Sequence, residues 1–261
     1  MKTNKTRLDC LLVERGLAES RQRAQALILA GTVLVGDRVA DKAGASIPAD
    51  ADLRIRGEVN PYVSRGGLKL KGAIEALGIS VRDLVALDVG ASTGGFTDCL
   101  LQAGAAKVYA VDVGYGQLAW KLRTDPRVVS IERTNIRNYN GAGIADGIDV
   151  AVIDASFISL KLVIPPVLGL IKAGALLIAL VKPQFEVGKG EVGKRGVVRD
   201  PELHERVVGE IETFCRGLGL QVLGTCVSPI TGPAGNREFF IGLRKPLQNM
   251  ANGDEGNGKW A

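Results

Sequence analysis

Seven short aliphatic segments, separated by stretches of helical spacing, constrain the fold more than any other feature of this 261-residue sequence. The predicted strands cover residues 84–89, 107–113, 128–132, 149–154, 175–182, 221–227 and 238–244. Six of them lack strict alternation of apolar and polar residues, as expected for strands covered on both faces. Strands interleaved with helices predict a doubly wound α/β sheet.

A smaller α+β domain is predicted in front of this sheet, over residues 1–59. Two short helices, the second over residues 21–30, precede a hairpin whose turn is Gly36-Asp37. Asn60-Pro61 interrupts both helical and strand periods, so the second domain is predicted to cover residues 60–246. Residues 247–261 are polar and Gly-rich and predict a disordered tail.

The charge and cysteine content narrow the class of protein only mildly. The net charge is +5, and residues 1–70 hold twelve Lys and Arg against eight Asp and Glu. That surplus is compatible with a polyanionic partner but is too small to identify one. The four cysteines form no Cys-x-x-Cys pair, which favours free thiols and a reducing compartment. The single histidine, His204, cannot support a histidine-based metal site, and no metal is expected.

No targeting or membrane segment is evident in the sequence. The N-terminus is polar through Asp9, unlike a signal peptide. The longest apolar stretch, residues 162–181, contains Pro165-Pro166 and Lys172, so it predicts a helix, a turn and a buried strand instead of a membrane span. A cytoplasmic location is therefore expected.

A Gly-rich turn follows the first predicted strand of the sheet, over residues 90–95, and leads into a helix. Such a turn lets the backbone approach a ligand closely and directs helix N–H groups at it. The spacing is neither Gly-x-Gly-x-x-Gly nor a phosphate-binding P-loop. Asp112, at the end of the next strand, is placed to accept hydrogen bonds from the ribose hydroxyls of an adenosine. The alternative is an ordinary turn with an aspartate that caps a helix.

S-adenosylmethionine fits this turn better than a dinucleotide does. Asp88 lies at the start of the turn. A carboxylate there would favour binding of the amino group of S-adenosylmethionine and disfavour binding of a pyrophosphate. The predicted cofactor-binding residues are Asp88, Gly90, Ser92, Thr93, Gly94, Gly95, Phe96, Asp112, Asn135 and Asp154.

Several motifs together resemble one known family. They are Asp88–Phe96, Asp112, Val152–Phe157, Leu180–Glu186 and Arg237–Phe240, together with an N-terminal pattern from Arg7 to Val35. The sequence resembles the TlyA family, whose members are named both as hemolysins and as ribosomal RNA (cytidine-2′-O)-methyltransferases. The resemblance implies a Rossmann-like, FtsJ-like catalytic domain behind an αL-type RNA-binding module. It covers nearly the whole chain.

The resemblance also implies a catalytic tetrad of Lys69, Asp154, Lys182 and Glu238. A ribose 2′-hydroxyl is a poor nucleophile, so its proton must leave as the oxygen attacks the methyl group. A lysine can take that proton if a neighbouring cation and partial desolvation favour its neutral form. Lys182 is the predicted base with Lys69 nearby, and the two carboxylates would orient the ammonium groups. Each residue could instead be an ordinary surface, capping or ion-pairing residue.

Two basic segments are predicted to hold RNA through its phosphates. One is the Gly-rich loop over residues 186–196, with Lys189, Lys194 and Arg195. The other is the N-terminal domain, with Arg7, Arg15, Arg21 and Arg23. Solvated charges are the competing explanation for both segments. Few aromatic residues accompany these cations, which favours recognition of RNA shape and backbone.

Three other functions remain as alternatives. A non-enzymatic ribosome-assembly factor would retain the fold without methyl transfer. The turn spacing disfavours a nicotinamide-dependent oxidoreductase. A pore-forming hemolysin would need a spanning segment or barrel-type alternation, which the sequence lacks. The target nucleotide, the choice between small- and large-subunit RNA, and the oligomeric state are left open.

Overall fold

The computed structural model describes residues 5–29, 31–56, 60–188, 190–193 and 196–247. The chain divides into two compact units, Met1–Asn60 and Pro61–Ala261. Apart from Leu247, the predicted tail lies outside the described residues. The predicted domain limits at residues 59 and 246 stay predictions.

The N-terminal unit combines two helices with short strands. Its elements are β1 (Lys5–Arg7), α1 (Leu8–Glu14), α2 (Arg21–Leu29), β2 (Val33–Val35), β3 (Arg38–Val39), β4 (Ser46–Pro48) and β5 (Leu53–Ile55). Strand β1 pairs with β4, and β2 lies between β3 and β5, with all pairs antiparallel. Leu8, Leu12, Ala24, Ile28 and Val33 are buried in its core, which confirms the predicted α+β class.

The second unit contains one seven-stranded sheet with helices on both faces. Its elements are α3 (Gly66–Leu77), β6 (Val85–Val89), α4 (Gly95–Gln102), β7 (Lys107–Val111), α5 (Trp120–Arg123), β8 (Val128–Ile131), a 3-10 helix (Ile136–Asn138), β9 (Ile148–Ile153), α6 (Leu160–Leu168), β10 (Ile171–Val181), α7 (Pro183–Glu186), α8 (Pro201–Gly217), β11 (Gln221–Val227) and β12 (Phe239–Arg244). Strands β6 to β10 run parallel, and β12 is antiparallel to both of its neighbours. The predicted seven-stranded α/β domain is confirmed.

The strand order β11-β12-β10-β9-β6-β7-β8 places a crossover between β6 and β9. From β6 the chain builds outward to β7 and β8, and then returns to add β9 on the other side. The helices that follow β6 and β9 diverge there and leave a crevice at the carboxyl ends of the strands. Ligands bind at such switch points in open α/β sheets.

Two apolar cores cover the two faces of the sheet. Helices α6 and α8 contribute residues such as Val163 and Ile211 to one core, and α3 and α4 contribute Leu70 and Leu100 to the other. Both cores are dominated by aliphatic residues, in keeping with the continuous apolar strands seen in the sequence. The sheet is thereby held as a rigid support for the residues at its carboxyl edge.

Candidate active site

The strand registers bring the predicted site residues to one edge of the sheet. Val89 pairs with Val111 on β7 and with Ile153 on β9, so Gly90, Asp112 and Asp154 each follow directly after aligned strand ends. In the same way Val181 pairs with Phe239, which puts Lys182 and Glu238 at adjacent positions of β10 and β12. Residues far apart in the sequence therefore meet at the switch point.

The Gly-rich turn after β6 is shaped by close packing. Gly90 has φ of +85°, and a Cβ on it would lie 2.8 Å from the carbonyl oxygen of Asp154. Gly94, with φ of +98°, leaves room for the Leu122 side chain, and a Cβ on Gly95 would lie 2.2 Å from Oγ of Ser64. A larger residue at any of these positions would displace the turn or its neighbours.

A cavity of about 610 Å³ opens beside this turn, within the usual size of small-molecule sites. Of the predicted cofactor residues, Gly90, Ser92, Asp112, Asn135 and Asp154 line it. The others, Asp88, Thr93, Gly94, Gly95 and Phe96, lie outside its lining. Their predicted cofactor contacts stay predictions.

The Asp112 carboxylate is oriented by the backbone around it. Its Oδ2 accepts a hydrogen bond from the Ser92 N–H at 2.8 Å, and its Oδ1 accepts one from the Gly114 N–H at 2.6 Å. Each carboxylate oxygen has a second lone pair, so Asp112 can still accept hydrogen bonds from a ligand in the cavity. The position matches the predicted contact with ribose hydroxyls.

Asp88 is fully buried under the turn. Its Oδ2 accepts a hydrogen bond from the Thr97 hydroxyl at 2.6 Å, which joins β6 to α4, and its Oδ1 has no hydrogen-bond partner. Burial raises the pKa of Asp88 from 3.8 to about 7, and the nearby Asp154 adds to the effect.

Asp88 should make the protein less stable at neutral pH than at pH 5. Between about pH 4 and pH 7 the folded protein keeps a proton on Asp88 that the unfolded chain releases, so the free energy of unfolding falls as pH rises through this window. We expect this decrease in the free energy of unfolding to be on the order of a few kcal/mol in the wild type and to be absent in Asp88→Asn, which cannot ionise. Urea unfolding of the wild type and of Asp88→Asn at pH 5 and pH 8 measures the decrease. The exposed Asp83→Asn is the matched control, and an unchanged pH slope in Asp88→Asn would refute the assignment.

The four tetrad residues form two separate ion pairs. Nζ of Lys182 lies 2.6 Å from Oδ1 of Asp154, at ion-pair distance but without the directional geometry of a hydrogen bond. Nζ of Lys69 donates a hydrogen bond to Oε2 of Glu238 at 2.6 Å. Both lysines and Glu238 are buried, whereas Asp154 is partly exposed to the cavity. Each carboxylate thus holds one ammonium group, as the predicted roles require.

Three further residues at this edge had no role assigned from the sequence. The Lys182 ammonium also donates a hydrogen bond to Oγ of Ser156 at 2.7 Å. Phe157 is 90% exposed, adopts φ of +63° and lines the cavity. Glu186 contacts the start of α6. Ser156 and Phe157 follow Asp154 closely after a strand end and belong to the motif Val152–Phe157, which was the available signal for them.

The predicted RNA-binding arginines of the N-terminal unit make internal contacts. Arg7 and Arg21 both contact the buried Asp9 carboxylate at 3.0 Å while their own side chains stay more than half exposed. Hydrogen bonds from Arg7, Gln25 and Arg21 hold the pKa of Asp9 well below its usual range. Asp9 therefore fixes two exposed guanidinium groups on one surface.

The other predicted RNA-binding residues are Arg15 and Arg23 in the N-terminal unit and three cations in the Gly-rich loop. Arg15 donates hydrogen bonds to the carbonyls of Ala49 and Ala51, and Arg23 donates one to the carbonyl of Asn60. Lys189, Lys194 and Arg195 lie outside the described residues.

The other expectations concern histidine, cysteine, metal and membrane. His204 is buried in α8 and its Nε2 lies 2.9 Å from the Val198 carbonyl oxygen, so it packs inside the second unit. The cysteines are free; Cys99 and Cys215 are buried, and Cys10 and Cys226 are partly exposed. Within the ranges that the structure describes, no cluster of three His, Cys, Asp or Glu side chains could hold a metal ion. Across those same ranges, no helix is both long and apolar enough to span a bilayer.

Comparison with known proteins decides the family. Residues 62–245 match the FtsJ-like methyltransferase family, and residues 6–50 match the S4 domain. The chain belongs to the FtsJ-like methyltransferase family. The S4 match covers most of the N-terminal unit, including helices α1 and α2.

Relatives with the same two-part organisation confirm the resemblance to the TlyA family. The 16S/23S rRNA (cytidine-2′-O)-methyltransferase TlyA of Mycobacterium tuberculosis is 48% identical over 241 residues, which cover 92% of this chain and 90% of that protein. Hemolysin A of Brachyspira hyodysenteriae is 43% identical over 90% of this chain and 98% of its own length. A solved structure described as a hemolysin from Streptococcus thermophilus superposes with a TM-score of 0.73 at 42% identity, covering 95% of this chain and 92% of that one.

Proposed function

We propose that this FtsJ-like protein transfers a methyl group from S-adenosylmethionine to the ribose 2′-oxygen of a cytidine in ribosomal RNA. The observation that carries the proposal is the buried Lys182, which pairs with Asp154, a residue that lines the same cavity as Asp112. The cytidine target is taken from relatives such as the M. tuberculosis TlyA protein. Action on ribosomal RNA would place the protein in the cytoplasm.

The residues that line the cavity support S-adenosylmethionine as its ligand. Asp112 offers acceptors to the ribose hydroxyls, and the cavity walls include Val113 and Ile136, which suit an apolar adenine ring. Gly90 has no side chain at the point where its backbone faces Asp154, so the ligand can approach the turn closely. When bound, S-adenosylmethionine supplies an electrophilic methyl group on a positively charged sulfur.

Lys182 would remove the proton of the ribose 2′-hydroxyl. Asp154, 2.6 Å from Nζ, stabilises the ammonium group that this proton transfer creates. Burial of Lys182 excludes water from the proton's path and fixes the position of Nζ. The Lys69–Glu238 pair fixes the second ammonium group of the tetrad, because Glu238 holds Nζ of Lys69 at 2.6 Å beside the end of β10.

The N-terminal unit would hold the RNA. S4 domain residues 6–50 include Arg7 and Arg21, whose exposed guanidinium groups are fixed by Asp9 and can each still donate to phosphate oxygens. A guanidinium has five N–H donors, so a contact with Asp9 does not exhaust them. Such contacts position RNA without reading its sequence.

Methyl transfer to ribosomal RNA tests the proposal directly. The purified protein is incubated with labelled S-adenosylmethionine and with small subunits, large subunits or the naked RNA of each. We expect label on a ribose 2′-oxygen, identified as a 2′-O-methylated nucleoside after complete digestion, in at least one substrate. Subunits that already carry the modification would not accept label, so they must come from cells that lack the homologous enzyme.

Two binding measurements are needed to interpret an experiment in which no RNA is labelled. Binding of S-adenosylmethionine is measured by calorimetry, with Asp112→Ala as the variant expected to lose affinity. Binding of each RNA is measured in parallel. A protein that binds RNA and leaves every substrate unlabelled would refute the proposal and favour a non-enzymatic assembly factor.

A further inference from the structure

We propose that Ser156 is a positioning residue that directs Lys182 at the ribose hydroxyl. The inference rests on the proposed function and adds a residue to it. The Ser156 hydroxyl lies 2.7 Å from Nζ of Lys182, and Ser156 lines the cavity. Neither strand pairing nor apolar packing requires a hydroxyl at this position, because Ser156 is exposed and lies beyond the end of β9.

The argument begins with the geometry of the amine. Nζ has four tetrahedral positions, and one is taken by the bond to the side chain. Ser156 Oγ, at 2.7 Å, accepts a hydrogen bond along a second position, whereas Asp154 Oδ1, at 2.6 Å, attracts the group without hydrogen-bond geometry. In neutral Lys182 the bond to Ser156 fixes the rotation of the amine about Cε–Nζ, and the charge of Asp154 favours the second N–H on its own side, so the lone pair takes the position that faces away from both. Asp154 alone would leave the amine free to rotate.

A hydroxyl suits this role better than a second carboxylate. A carboxylate at the position of Ser156 would add a full negative charge and favour the protonated, inactive form of Lys182. A serine hydroxyl is uncharged and accepts an N–H with little such effect. The site thus combines one charged partner, Asp154, with one neutral partner that mainly sets direction.

The loop that carries Ser156 is fixed independently of Lys182. Glu186 on α7 accepts hydrogen bonds from the Ser159 hydroxyl at 2.6 Å and from the Leu160 N–H at 2.8 Å. The rings of Phe157 and Phe185 are in contact, with centroids 5.1 Å apart. Phe157 also has a left-handed backbone, which only surrounding contacts can maintain in a residue of this size. These ties hold residues 156–160 against the segment that follows Lys182.

The test compares Ser156→Ala and Ser156→Thr with the wild type in the methyl-transfer assay on the RNA that the wild type modifies. We expect Ser156→Ala to lower kcat about tenfold, the value of one directing hydrogen bond, with the KM for S-adenosylmethionine unchanged. Ser156→Thr keeps the hydroxyl and should restore most of kcat. Ser80→Ala, an exposed serine in the loop before β6 at the opposite edge of the sheet, is the matched control.

The pH profile of kcat separates a positioning role from a structural one. The rate should rise with pH as Lys182 loses its proton. Loss of the Ser156 acceptor removes a hydrogen bond to the ammonium form, so the midpoint should move to lower pH in Ser156→Ala. The Asp154 carboxylate, which pairs with Lys182, and the Lys69–Glu238 pair at the neighbouring strand end are both retained in this variant.

The outcomes are distinct. An active wild type with an equally active Ser156→Ala overturns the role of Ser156 and leaves the proposed function intact. A lower kcat with an unmoved midpoint, or with no recovery in Ser156→Thr, shows a structural effect and also overturns it. A wild type that binds S-adenosylmethionine and RNA but labels no substrate overturns the proposed function itself, and the role of Ser156 with it.

Discussion

Replacing Lys182 with alanine should lower the rate of methyl transfer by about 10²–10⁴-fold, the usual contribution of a positioned general base. The side chain is buried and its Nζ contacts Asp154 and Ser156, so no other lysine of the described chain shares this position. The cavity residues that would bind the cofactor, such as Asp112, are untouched. Affinity for S-adenosylmethionine should therefore change little, and the loss should fall on kcat.

Single-turnover methylation measures the chemical step, and calorimetry measures cofactor binding. Lys182→Arg is the informative second variant, because arginine keeps the charge but cannot give up a proton; it should be as inactive as alanine. Lys161→Ala removes an exposed lysine paired with Glu210 and should behave as the wild type. Substantial activity in Lys182→Arg would show that positive charge, and not proton removal, is what Lys182 supplies.

The architecture of the second unit could be predicted from the sequence because its strands are buried on both faces. Each of the seven aliphatic runs became a strand, with ends that moved by a few residues at most. The largest differences between prediction and structure lie in residues 162–181. Pro165 and Pro166 lie inside α6, and β10 begins at Ile171 instead of residue 175. The two prolines are the sixth and seventh of the nine residues of α6, beyond its first turn, so each removes a backbone hydrogen bond from the helix, which ends two residues later at Leu168.

In the N-terminal unit the hairpin of β2 and β3 was predicted from its turn, but strands β1 and β4 could not be predicted. Strands β1 and β4 have three residues each and pair Lys5–Arg7 with Ser46–Pro48 across the length of the unit. Three residues carry no measurable period, and their pairing depends on how α1 and α2 pack. The local sequence therefore contains no signal for them.

The site was predictable as a set of residues but not as a set of contacts. A strand end identified Asp112, and the family resemblance supplied Asp154 and Lys182, which also follow strands whose carboxyl ends meet at one edge. Which carboxylate pairs with which lysine depends on the antiparallel placement of β12, which no local pattern specifies. The roles of Gly94 and Gly95 in packing against Leu122 and Ser64 depend on contacts equally distant in sequence.

The Lys69–Glu238 pair should be the most sensitive point for stability in the second unit. The two side chains are 9% and 1% exposed and meet at 2.6 Å. Lys69→Ala leaves the Glu238 carboxylate buried without a counter-charge, and breaking a buried pair in this way costs about 3–5 kcal/mol. The variant should consequently unfold at a much lower urea concentration, and it should also lose methyl transfer because the site edge is disturbed.

The double variant Lys69→Met with Glu238→Leu distinguishes stability from function. Replacing both members of a buried ion pair with apolar side chains of similar size is often neutral, so most of the lost stability should return. Activity should not return, because the second positive charge beside Lys182 is still absent. Lys71→Ala, an exposed lysine two residues along the same helix, should change stability by less than about 0.5 kcal/mol. A double variant that recovers both stability and methyl transfer would mean that the pair serves the fold alone, and that Lys182 and Asp154 carry the chemistry without it.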